Sequence, residues 1–357
     1  MAKFGVIGMP WQCAGAINVE DCKTSEEVMN KAGLNFHVEK TNMVAEMPMR
    51  DFSDKELDRI NEDIAKGNAF LRGNKLYRTA PNAFTTYRTD YNIPLGSVKS
   101  KYTVVQNNVA FNFFDDAIGK DKAIWQTAGA WGNGERIFVS CKLPNNILVH
   151  GDPVETYLVF TNSHDGSSGV KILFTPIRVI CQNTLNAAIR TAQNFVTFKH
   201  TKQVHNKIAI AQEILGISKQ YAEHTQECYN HLASIKMDDN AVIQYLCEQF
   251  MSEEEKTKLL QSNYTFKDIV NRKWMAIESS DLSMRKANQI SDTWKYYNEG
   301  PGQQEIIGTA WAAMNAVSGY FSNVDTSVEG IKRLDSLLYG DKAKKIQAAS
   351  ESALILQ

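Results

Sequence analysis

No CxxC pair, no Cys–His spacing of the zinc-finger kind and no run of about 18 consecutive apolar residues occurs in this 357-residue chain. The first two absences exclude a zinc knuckle and a disulfide framework. The six cysteines (Cys13, Cys22, Cys141, Cys181, Cys228, Cys247) are far apart and read as reduced, mostly buried thiols. The third excludes a membrane-spanning helix. At the N-terminus, Pro10 and Trp11 interrupt a short apolar run before it reaches signal-peptide length, so a cytoplasmic location without a membrane partner is expected. A phosphate loop is missing too, because the glycines of GAWGNG (129–134) lack the GxxxxGK[ST] order. No complete ligand set or nucleophile triad can be named, so neither a metal nor a cofactor is expected.

What is present is an ordinary globular composition, 43% hydrophobic and 22% charged, with a net charge of -1. That near-zero total hides segregated charge. From Gly166 to Gln212 there is no Asp or Glu in 47 residues, against Lys171, Arg178, Arg190, Lys199, Lys202 and Lys207, with His200 and His205. A second window, Lys66 to Phe114, carries Lys66, Arg72, Lys75, Arg78, Arg88, Lys99 and Lys101 against Asp90 alone. Cations on one face bind polyanions by releasing counterions from phosphates. Aromatic neighbours such as Tyr77, Tyr87 and Tyr102 can add stacking. The plainer alternative is that acids from the N-terminal helices, or Glu213, Glu223 and Glu227, balance these cations in space.

The fold expected is α+β. Thr24 with Glu27 has capping-box spacing, which opens a short helix ended by Gly33, and Ser53 opens an acidic helix that stops at Gly67. Extended segments are expected over 36–44, 74–78, 83–88 and 100–105, a short helix over 111–118 and a Gly-rich turn over 126–134. The organising stretch is 135–202. Strands rich in Val, Ile, Leu, Phe and Tyr are expected over 136–143, 156–161 and 170–174. Asp165-Gly166 favours a tight turn that pairs the last two as a hairpin. A helix over 182–191 completes a strand-strand-strand-helix core built on an antiparallel sheet. Beyond His205, helices are expected over 206–235, 241–250, 252–260, 265–276, 281–297, 303–321, 328–338 and 341–356. The division predicted is a mixed α+β domain over 1–202 and a helical C-terminal region over 203–357.

Two kinds of site follow from the residues. The nucleic-acid-binding candidates are Arg88, Lys99, Lys101, Tyr102, Lys171, Arg178, Asn183, Arg190, Lys199, His200 and Lys202. The catalytic candidates are weaker: His164 and Asp165 as a general-base pair with Cys181 as a nucleophile. Against them, adjacent residues in a turn point apart, Asp165 already serves the turn, and Cys181 follows an apolar strand. Around Arg178, the amides of Gln182, Asn183 and Asn186 either cap the following helix or join Arg178 in holding a phosphate.

Several long stretches resemble a known family. YRTDYNIPLGSV, YTVVQNNVAFNFFDD, NSHDGSSG, TPIRVICQNTLNAAI, FKHT, and TAWAAMNAVSGYF followed by Leu338-Tyr339-Gly340, look like the phage/plasmid-like protein family with domain of unknown function 932. The resemblance implies a prophage or plasmid setting in a bacterial cytoplasm and carries no settled activity. The order of three strands and a helix is also similar to the core of single-strand annealing proteins of the RecT and Red-beta kind, a fold-level analogy. The function expected is nucleic-acid binding, with single-stranded DNA favoured, in recombination or replication, by a chain that can form homo-oligomers. The alternatives are an enzyme acting on nucleotide or protein substrates through His164, Asp165 and Cys181, and a structural or host-interaction protein.

Overall fold

The computed structural model describes residues 16–48, 50–118, 124–143, 146–178, 183–184, 195–204 and 222–356. The N-terminal part runs β1 (Ile17–Asn18), α1 (Ser25–Lys31), β2 (Val38–Met47), α2 (Asp54–Ala65), β3 (Ala69–Arg72), β4 (Lys75–Arg88), β5 (Ile93–Val98) and α3 (Asn107–Ile118). Then come β6 (Ile124–Trp131), β7 (Arg136–Lys142), β8 (Ile147–Val149), β9 (Asp152–Ser163), β10 (Val170–Arg178), β11 (Asn183–Thr184) and β12 (Phe195–Phe198). Helices follow: α4 (222–234), α5 (Asp239–Phe250), α6 (Glu253–Gln261), α7 (Phe266–Val270), α8 (Trp274–Ser279), α9 (Met284–Glu299), α10 (Ala310–Gly319), α11 (Gly330–Leu338) and α12 (Asp341–Leu354). The class is α+β, as the sequence predicts.

Two antiparallel sheets form. The larger has the order β1-β6-β7-β9-β10-β11, with β8 paired to β9 and β12 to β10; the smaller has β2-β4-β3, with β5 on the far half of β4. In the larger sheet β9 pairs along its length with β10, from Thr161 opposite Lys171 to Val154 opposite Arg178, and on its other edge with β7. Alternation along these strands serves two faces. Val139, Cys141, Leu158, Phe160 and Ile172 pack with Phe111, Phe113 and Phe114 of α3 and Val28 of α1. Phe138, Tyr157, Val159, Leu173 and Ile177 meet Leu334 and Leu338 of α11 on the opposite side. Burial on both faces is why these strands read as almost continuous apolar runs.

The helical region builds its core around Trp311, which is fully buried, and that core also takes in Ile147, Val149 and Val154 of β8 and β9. Trp311 donates its Nε1–H to Asp152 Oδ2 at 2.9 Å, so apolar packing and a buried hydrogen bond both cross the boundary predicted near residue 202.

The capping box at Thr24 forms as the spacing predicts, and Ser53 opens α2 as expected, with a capping box through Glu56 besides. Three local expectations change. The segment 126–131 is strand, not turn: Thr127 and Ser140 hydroxyls pair at 2.6 Å across β6 and β7, and only residues 132–135 turn. The β9–β10 connection is a six-residue loop, 164–169, in which the Asp165 carboxylate accepts the Ser167 N–H at 2.9 Å and Gly166 alone takes positive φ, +76°. The helices expected over 265–276 and 303–321 are broken, the first at Arg272 with φ of +54°, the second after a 3-10 turn at Gln303–Glu305. The helix expected over 182–191 lies outside the described residues apart from β11.

A lysine cluster over a buried histidine seam

The basic face is assembled by two segments far apart in sequence. Thr103 donates its N–H to His200 O at 3.1 Å, and His200 Nδ1 returns a bond to Thr103 O at 3.0 Å. The Tyr102 ring stacks on the His200 ring, with centroids 4.5 Å apart, and the Tyr102 hydroxyl donates to Ser163 O at 2.6 Å. Residues 99–103 and 199–202 therefore lie side by side at the end of the larger sheet. Lys99, Lys101, Lys199 and Lys202 are exposed there, and none forms an ion pair with a described residue. Lys40 joins them from β2, its Nζ donating to Ser100 O at 2.8 Å and Tyr102 O at 2.9 Å.

Several other cations of the basic windows are matched by acids or rings. Lys75 pairs with Glu46 at 2.8 Å, Arg78 with Asp63 of α2 at 2.9 Å, and Lys66 with Glu62 at 3.3 Å. Arg88 binds Asp90 at 2.6 Å, lies over the Phe36 ring at 3.9 Å and donates to Asn133 O, which makes it a packing residue. Lys171 sits 4.2 Å over the Tyr339 ring beside α11, and burial lowers its amine pKa. Arg178 and Asn183 are register partners between β10 and β11. Their side chains, with Arg190, lie outside the described residues. So Lys99, Lys101, Lys199 and Lys202 come together, Tyr102 and His200 lie beneath them as a locked stack, and Arg88 and Lys171 are used elsewhere.

Below that stack, the stretch from Thr103 to Asn107, the first residue of α3, receives three side chains at every second residue. His200 Nδ1 bonds Thr103 O, Asn162 Nδ2 donates to Val105 O at 2.9 Å, and His164 Nε2 meets Asn107 Oδ1 at 2.8 Å. The Asn107 amide nitrogen is committed to Leu34 O and Phe36 O, so its oxygen faces His164, and His164 Nε2 must carry the proton. His164 is completely buried, and burial, reinforced by His200, pushes its pKa down to about 3. The pKa of His200 is lowered by burial, against the bond to Thr103.

His164 and Asp165 face apart. Burial would raise the pKa of Asp165, yet hydroxyl bonds from Ser163 at 2.6 Å and Ser167 at 2.5 Å, with the Ser167 amide, leave it lowered. A neutral, fully buried imidazole bonded to Asn107 is placed to hold the chain together. Cys181 lies outside the described residues. The smaller sheet buttresses the seam: Thr86 Oγ1 donates to His164 O at 2.6 Å, and a Cβ on Gly96 would stand 2.5 Å from Asp165 Cα.

Among the described residues, no helix is long and apolar enough to cross a membrane. Sequence reasoning missed Lys40, Thr103, Asn107 and Asn162. The available signal was polar residues at core positions: Asn162 near the end of β9 and His164 just past it, two apart, are both buried.

Fold and site together define an antiparallel α+β protein whose sheet end carries a cluster of exposed lysines with no ion pair among the described residues. The chain belongs to the family described as Domain of unknown function (DUF932), whose model matches residues 94–350. No curated protein and no solved structure matches the chain significantly.

Proposed function

We propose that this protein binds nucleic acid through Lys99, Lys101, Lys199 and Lys202, with Lys40 at the margin, and that its favoured partner is single-stranded DNA. The observation that carries the reading is that these lysines gather at one sheet end without an acidic partner among the described residues, whereas Lys75, Arg78 and Arg88 of the same basic window are ion-paired. Each unpaired lysine can neutralise a backbone phosphate and release its counterion. The family resemblance in the sequence supports a phage or plasmid setting in the cytoplasm, where recombination or replication supplies exposed strands.

Lysine binds phosphate as a flexible point charge. The Tyr102 hydroxyl is bonded to Ser163 and its ring stacked on His200, so binding rests on the backbone rather than on base stacking. Sequence-independent binding follows. Electrophoretic shift with labelled oligonucleotides of unrelated sequence tests this. Retardation at low salt with little sequence dependence is expected, and free migration of every oligonucleotide at low salt overturns the reading.

A further inference from the structure

The three side chains on segment 103–107 share a second property. Each leaves one lone-pair atom without a partner: His164 Nδ1, His200 Nε2 and Asn162 Oδ1. All three residues are nine-tenths or more buried, at 0, 8 and 2% exposure. Buried acceptors without donors are destabilising, so they call for an occupant.

The three atoms belong to one locality. Asn162 near the end of β9 and His164 just past it stand two apart, and their partners Val105 and Asn107 stand two apart on the facing segment. His200 is fastened to Thr103, one step further along the same segment.

We propose that His164 Nδ1, His200 Nε2 and Asn162 Oδ1 form a binding site for one divalent first-row transition-metal ion. Three arguments select that class. A single water has two O–H donors and leaves one acceptor bare, whereas a cation can serve three lone pairs at once. Two imidazole nitrogens suit zinc, iron, cobalt, nickel or copper, whereas magnesium and calcium take oxygen donors. Metal-binding histidines donate the other ring N–H to a fixed oxygen, as His164 does to Asn107 and His200 to Thr103. Among the described residues no three His, Cys, Asp or Glu side chains converge as ligands, so a three-donor set here must draw on an amide oxygen. The ion would tie β9, segment 103–107 and residue 200 together beneath the lysine cluster. The inference does not rest on nucleic-acid binding.

The test is titration of the chelator-treated, full-length protein with Co2+ and with Zn2+, followed by visible absorption and by 15N resonances of the histidine rings. About one ion per chain is expected, with the His164 Nδ1 and His200 Nε2 resonances moving. His200→Asn should weaken uptake by more than the roughly 10–100-fold that losing a supporting partner costs. Because that variant can lose its fold, the wild-type resonances decide: rings unmoved at saturating metal, no stoichiometric uptake, or equal uptake by folded His200→Asn overturns the proposal.

Discussion

Thr103 and His200 exchange two hydrogen bonds, backbone N–H to carbonyl at 3.1 Å and ring Nδ1 to carbonyl at 3.0 Å, across 97 residues of sequence. That clasp sets Lys99 and Lys101 beside Lys199 and Lys202, and it anchors the seam that holds His164. Both the lysine cluster and the buried acceptors depend on it.

The Tyr102 hydroxyl fastens the clasp to β9 through Ser163 O. Tyr102→Phe removes that donor while keeping the ring on His200. A loss of about 1–2 kcal/mol in urea unfolding is expected, with little change in nucleic-acid affinity at low salt. Equal stability of variant and wild type would show that the hydroxyl does not hold the seam.

Gly96 lets β5 approach loop 164–169 at backbone distance. A Cβ there would come within 2.5 Å of Asp165 Cα and 2.6 Å of its carbonyl oxygen, both backbone atoms that cannot swing aside. Gly96→Ala should therefore destabilise by about 1–3 kcal/mol, read as a lowered denaturant midpoint. Gly67→Ala, where nothing lies within 4 Å but φ is +73°, separates the cost of strain from that of collision.

The buried histidine sets a pH dependence. His164 has a pKa of about 3 in the folded protein, against an ordinary value near 6.5 in the unfolded chain. Between those values the unfolded state binds the extra proton, so stability rises with pH through the window and is fully present above about 6.5. The contribution is on the order of 5 kcal/mol, lost as pH falls toward 3. Metal-free wild type should show this slope in urea titrations, and His164→Gln should flatten it. An unchanged slope in the folded variant would assign the dependence to other groups.

Trp311 Nε1–H is a donor to the buried Asp152 carboxylate, at the seam between β9 and α10. Trp311→Phe removes that donor and some packing volume together. A loss of at least about 1.5–3 kcal/mol is expected, the range for a hydrogen bond to a charged group, with the sheet and the helices unfolding in one transition. Separate transitions for the two parts would mean that the shared core does not couple them.

The sequence made the sheet legible where periodicity and composition agree. β9 and β10 are apolar on both faces because α1 and α3 cover one side and α11 the other, and runs of Val, Ile, Leu and Phe signal that directly. The helix caps at Thr24 and Ser53 are local chemistry and were equally readable. The 126–131 strand was not, since Gly129 and Ala130 mimic a turn until Phe138 packs over them. For the site, charge windows located Lys99, Lys101, Lys199 and Lys202 but could not separate them from Arg88 or Lys171. That distinction depends on which acid or ring lies alongside: Asp90 neutralises Arg88, and Tyr339 covers Lys171. The bonding partners of Asn107 and Asn162 were not legible, because they come from segments that meet only in the folded chain.

The lysine cluster is tested most directly by the salt dependence of single-stranded DNA binding, followed by fluorescence anisotropy for wild type and for the folded variant Lys99→Gln/Lys101→Gln/Lys199→Gln/Lys202→Gln. Each phosphate contact on a single strand contributes about 0.7 to the slope of log affinity against log salt. Removing four charges should flatten that slope by roughly 3 and weaken binding at low salt by orders of magnitude. An unchanged slope and affinity in the folded variant would contradict the account.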